Sequence, residues 1–156
     1  MIASMTSAPT AVDRSPALPR PIVRGLRREA FRLLRSDSRR LTFPHVLRVG
    51  RLDRWPAEHH SCAVPRVPNA GLALDVAEAL LLERSTPHDP HVWLTRPGPP
   101  EADHLDHAWQ RALHDVAEAH GLRRPRLLIV TRTGWQGVDC GEGQRWSRLR
   151  LVLPDS

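Results

Sequence analysis

The residues that decide the fold run from 91 to 134: HVWLTRPGPPEADHLDHAWQRALHDVAEAHGLRRPRLLIVTRTG. Two short apolar runs, His91 to Thr95 and Arg126 to Thr131, bracket this stretch, and each closes on a Thr-Arg pair with a glycine soon after. Runs of this length, bounded by Pro and Gly, read as strands. Between them Leu105, Trp109, Ala112, Leu113 and Val116 recur at helical spacing, and Gly121 supplies a stop, so a helix is expected from about Glu101 to His120. A strand, a crossover helix and a second strand form a βαβ unit, whose strands lie parallel and close together. The expectation is an α/β (or α+β) fold: a small mixed sheet built on this central unit.

Downstream, residues 134–143 read as a glycine-rich hairpin connection. They lead to a strand near 145–153, where Leu149, Leu151 and Leu153 alternate with Arg148, Arg150 and Val152. Trp135 and Trp146 either pack across this C-terminal hairpin or stay exposed for a base or protein to stack on. Upstream, Asn69 is a plausible N-cap for a helix over about 70–84, whose apolar residues surround its circumference and predict burial on more than one side. Residues 55–68, with three prolines and no clear period, read as loop. Leu41 to Val49 reads as a strand interrupted by Pro44, which suggests an edge position or two short pieces.

From Pro21 an amphipathic helix is expected, with Ile22, Leu26, Ala30 and Leu33 on one face and Arg24, Arg28, Arg32 and Arg35 on the other. Ser36-Asp37-Ser38 ends it. Residues 1–20, rich in Ala, Ser, Thr and Pro, hold too little apolar surface to offset ordering and predict a disordered arm. The organisation is thus an arm at 1–20, a basic helix at 21–40 and one domain at 41–153.

The longest apolar run, 72–82, is too short to span a bilayer and contains Asp75 and Glu78; no secretory signal opens the chain, so a cytoplasmic protein is expected. All 23 basic residues are arginine, with no lysine or tyrosine and one asparagine. That bias suits a high-GC bacterial genome and makes the arginine count a weak guide to function. Its distribution says more. Residues 1–54 carry twelve arginines against four carboxylates, a surplus of eight, whereas the other 102 residues sum to −2. Such segregation points to a partner for the N-terminal segment: nucleic acid, an acidic protein or an anionic membrane surface. The candidate contacts are Arg24, Arg28, Arg32 and Arg35; the plainer reading is a helix docked on the domain with a solvated arginine face.

Parallel neighbouring strands would bring Thr95, Arg96, Thr131 and Arg132 to one rim, where guanidinium and hydroxyl donors suit a phosphate or carboxylate. The plainer reading is that strands need polar exits. His59, His60, Cys62 and Cys140 have the chemistry of a zinc site but no paired spacing such as CxxC, and two reduced thiols are the default. His104 and His107 lie three apart, but His104 is on the flank of the helix, while His107 and His114 lie almost opposite its apolar stripe and are expected to face water. The glycine-rich loop lacks the lysine of a P-loop, and no cofactor is predicted. No motif names a reaction, and Asp103 and Asp139 are the candidate general bases near the rim. The functional expectation is a non-catalytic module binding nucleic acid or a protein partner through its basic N-terminal segment. The alternative is a small-ligand domain, or an enzyme acting on a phosphate- or carboxylate-bearing substrate at the Arg96/Arg132 rim.

Overall fold

Three helices and six strands make up the computed structural model, which describes residues 17–36, 43–54, 59–139 and 141–146. In chain order they are α1 (Arg20–Ser36), β1 (His45–Gly50), β2 (His59–Val64), α2 (Ala70–Leu81), β3 (His91–Thr95), α3 (His104–Ala119), β4 (Leu127–Thr131), β5 (Gly134–Gly137) and β6 (Gly143–Arg145). The strands form one mixed sheet in the order β2-β1-β3-β4-β5-β6. β3 and β4 are parallel, as the intervening helix requires, and every other pair is antiparallel.

The sheet is covered on both faces, so β3 and β4 are apolar at successive positions rather than alternately. Val92, Leu94, Leu127 and Ile129 turn to one face, where they meet Trp109, Leu113 and Val116 of α3 and Ala73, Ala77 and Leu80 of α2. Trp93, Leu128, Val130 and Trp135 turn to the other and meet Leu26, Ala30 and Leu33 of α1. α3 starts on a capping box between Asp103 and Asp106. It ends as its glycine predicts: Gly121 adopts φ +65°, and the N–H groups of Gly121 and Leu122 return to the carbonyls of Glu118 and Ala117.

Several expectations need correction. β1 begins after Pro44 and lies between β2 and β3, so it is an interior strand and the proline stands outside the ladder. Residues 59–64, expected as loop, form the edge strand β2, paired from His45↔Val64 to Gly50↔His59. The sequence HHSCAV lacks alternation because an edge strand over a helix buries little on either side. α2 stops at Leu81 rather than near residue 84, and it buries one side only: Ala73, Ala77, Leu80 and Leu81 are inside, while Leu72, Leu74 and Leu82 are exposed. The glycine-rich segment supplies β5 directly, after a turn at Arg132 and Thr133, and β6 follows from Gly143. Most of the expected arm at 1–20 and of the strand at 145–153 lies outside the described residues, as does Cys140.

Candidate polyanion-binding face

α1 is seated on the sheet by three devices. Its apolar stripe fills the second core, with Leu26 and Ala30 fully buried. The Leu18 N–H donates to both carboxylate oxygens of Glu142, at 3.0 and 3.3 Å, which ties the start of the helix to the β5–β6 connection. Gly25 lets the helix backbone rest on Leu52: a Cβ there would fall on the Leu52 carbonyl, 2.7 Å from its carbon.

Glu29, the only carboxylate in α1, completes the seat. It is 3% exposed and turns into the sheet, accepting from the Trp93 indole Nε1 at 3.2 Å and from Arg32 Nη2 at 2.8 Å. Arg48 on β1 approaches the same carboxylate at 4.0 Å, donates to Thr95 Oγ1 at 3.4 Å and lies 2.9 Å from His59 Nε2. A guanidinium only donates, so this His59 nitrogen accepts. Burial, followed by the Arg32 charge, holds Arg48 below the usual guanidinium value, and Glu29 opposes both.

The outward side of α1 is left to cations. Arg20, Arg24, Arg27 and Arg35 are exposed, and Arg28 and Arg32 are half-buried. At 100° per residue all six fall within one arc of the helix, opposite Leu26 and Leu33. Arg27 was missed by the i, i+4 reading, although the same arc contains it. Compared with known proteins, this chain matches no family model, no curated protein and no solved structure. The site therefore has to be argued from its own chemistry.

The strand-end residues do not converge. Register places Thr95 beside Val130, so Thr131 is one step further along β4 and its side chain points to the opposite face of the sheet. Thr95 meets Arg48 on the α1 side, while Thr131 bonds Thr133 and the Gly134 carbonyl. Arg96 is 5% exposed and committed to structure. Its Nε and Nη2 grip the Asp106 carboxylate at 3.0 and 2.7 Å, and the remaining donors take the carbonyls of Pro97, Pro99 and Glu101. Arg132 lies with its guanidinium 4.8 Å from the centre of the Phe43 ring.

A cleft of about 440 Å³ does open at this end, bordered by His45, Arg66, Leu94 and Trp109 together with Glu101, Asp103 and Asp106. Burial, then the Arg96 charge, pushes the His45 imidazole below its ordinary 6.5. The three carboxylates at the α3 start make this cleft a poor host for an anion.

His59 and His60 are successive residues of β2 and lean to opposite faces; His60 Nε2 is 2.7 Å from Ser85 Oγ. Cys62 is half-buried and unbridged, with Sγ 3.4 Å from the Ala63 carbonyl. Among the described residues no group of three or more His, Cys, Asp or Glu side chains is placed to hold a metal ion. His107 is exposed, whereas His114 is half-buried and 2.9 Å from the Pro125 carbonyl. No helix among the described residues is long and apolar enough to cross a membrane.

Proposed function

We propose that the protein is a non-catalytic binding module that holds a nucleic-acid backbone against the arginine face of α1. One observation carries this reading: the only acid in the helix is buried against Trp93, so the exposed side presents arginine without an intervening carboxylate. Polyanion binding needs that uniformity, because each carboxylate on the contact face would cancel a phosphate contact. The seat on the sheet fixes the helix backbone before the partner arrives, so the helix need not order on binding. A rim site for a small anion has weaker support, since the donors of Arg96 are spent on Asp106 and on three carbonyls.

The test is fluorescence anisotropy with a labelled duplex DNA and a single-stranded RNA across a salt series. The unmodified chain is compared with the triple variant Arg24→Ala, Arg27→Ala, Arg35→Ala. Micromolar binding at low salt should weaken steeply as salt rises, with a log–log slope of about −0.9 per phosphate contacted. The triple variant should lower the magnitude of that slope by about 3 and keep its fold. Absence of binding to either probe at low salt, or a slope that the variant leaves unchanged, rules the function out.

A further inference from the structure

At the end of the sheet opposite the Arg96 cleft, β1 finishes and β2 begins, and the loop after α2 closes over them. A cleft of about 540 Å³ lies there, and its polar lining is Arg51, Arg54, His59, His60, Ser85 and His88. Two guanidinium groups, the His60 and His88 imidazoles and one hydroxyl border this space, with His59 at its edge leaning toward the other face, and among the described residues no carboxylate belongs to the wall. The volume is that of an ordinary small-ligand pocket. It contrasts with the cleft at the other end of β3, where three carboxylates line the space.

The donors are also pre-positioned. At the edge of the cleft His59 is fixed on the other face of β2 by Arg48 at 2.9 Å and by edge-on contact with Trp93, ring centres 5.5 Å apart. His60 is fixed by the 2.7 Å contact to Ser85. Arg51 is braced by both oxygens of Asp53, at 3.0 and 2.6 Å, and by the Asp89 carbonyl. Asp53 cancels the Arg51 charge but stands outside the wall, so Arg51 serves as an oriented donor, while Arg54 and the imidazoles supply the remaining polarity. Side chains already fixed lose little freedom when a ligand arrives.

We propose that this cleft binds a terminal phosphate group. The planar donors of arginine and histidine, converging from several sides, match the several acceptor oxygens of a phosphate better than the two of a carboxylate. A free metabolite or the end of a nucleic-acid strand could carry that group. The site stands apart from the reading of α1, since none of its residues belongs to that helix.

The experiment is an amide NMR titration of the full chain with inorganic phosphate, adenosine 5′-monophosphate, and a DNA hexamer with and without a 5′-phosphate. The comparison is with the double variant Arg54→Ala, His88→Ala, both exposed positions whose truncation leaves the core intact. The expected result is saturable shifts confined to residues 49–51, 59–60 and 85–88 at millimolar phosphate, weakened at least about fivefold in the double variant. A metabolite site binds the monophosphate more tightly than inorganic phosphate and is indifferent to the phosphate on the hexamer. A strand-end site favours the 5′-phosphorylated hexamer, and the double variant abolishes that preference. The α1 triple variant should leave binding of inorganic phosphate unchanged, so failure of the helix reading and failure of this one are separable. The proposal is overturned if no probe gives saturable shifts at the cleft up to about 20 mM, or if the double variant binds as well as the parent.

Discussion

Replacing Gly25 with alanine tests whether α1 is truly seated on the sheet, because two effects of comparable size oppose each other there. Within an exposed helix the change should stabilise by about 1 kcal/mol, since glycine spends more backbone entropy than alanine. At this position the added Cβ would fall on the Leu52 carbonyl, 2.7 Å from its carbon and 2.9 Å from the Leu52 Cβ. The obstacle is backbone in a well-packed segment, so the helix itself has to lift. Lifting it loosens Leu26, Ala30 and Leu33 from Trp93, Leu128 and Val130. A radial gap of about 0.5–1 Å already forfeits a quarter to a half of each contact, and overpacking in cores costs about 1–3 kcal/mol. The clash therefore outweighs the propensity gain, leaving a net loss of about 1–2 kcal/mol, or about 3–6 °C in Tm for a chain of this size. Gly71→Ala in α2 is the matched control: its Cβ would meet only Asn69 Oδ1 at 3.6 Å, so it should stabilise by a few tenths of a kcal/mol. The assay is urea and thermal denaturation followed by circular dichroism. Should Gly25→Ala stabilise the protein as Gly71→Ala does, α1 does not rest on Leu52 and the rigid arginine face loses its basis.

Three other outcomes follow from the buried polar groups. Asp106→Ala should cost about 3–5 kcal/mol in urea denaturation, because it strands Arg96 in the interior, and the double change Arg96→Met, Asp106→Leu should recover most of that loss; a single-variant cost below about 1 kcal/mol would show that the pair is solvated. Glu29→Ala should destabilise by about 2–4 kcal/mol and displace the Trp93 indole N–H resonance, whereas Glu29→Gln, which keeps an acceptor, should cost less; an unmoved indole resonance in the alanine variant contradicts the contact. Acid sensitivity should begin early. Burial and nearby arginine charge (Arg96 for His45, Arg51 for His91) hold both imidazoles below 6.5 in the folded state, and His91 Nδ1 accepts from the Leu52 N–H. The unfolded chain then binds more protons, so stability is full above about pH 6.5 and falls as pH drops through the folded-state values, before the carboxylates titrate. A urea midpoint that stays flat between pH 7.5 and 5.5 would show that neither histidine is held neutral.

The architecture was most readable where periodicity and burial agree. Trp109, Leu113 and Val116 mark α3 because one face of that helix meets the sheet and the other meets water. The βαβ unit follows from its two apolar flanks, and α1 from its separated leucine and arginine faces. β2 was hidden for the opposite reason. Its exposed or half-buried His59, His60, Ser61 and Cys62 carry no hydrophobic alternation, and what makes them a strand is antiparallel pairing with β1, from Gly50↔His59 through to His45↔Val64. α2 misled through composition: its leucines suggested burial all round, yet Leu72 and Leu74 face outward. Apolar character bounds what can be buried without saying what is.

The site was harder to read because its chemistry depends on faces that a linear pattern does not specify. The two Thr-Arg ends look equivalent in sequence, but Thr95 pairs with Val130, and in a structure of period two that single-residue offset sends Thr95 and Thr131 to opposite sides of the sheet. The same offset delivers Arg96 to Asp106 on the α3 side and Arg132 to Phe43, which packs with the α1 core. Glu29 shows the converse. As a letter it lowers the charge of the basic helix by one, which argues against polyanion binding. Turned inward against Trp93 and Arg32, it removes the helix's only carboxylate from the outward arginine side and helps hold the helix on the sheet. The count of charges was legible from the chain; their allocation between core and surface, which leaves the outward side of α1 to arginine, is set by tertiary packing.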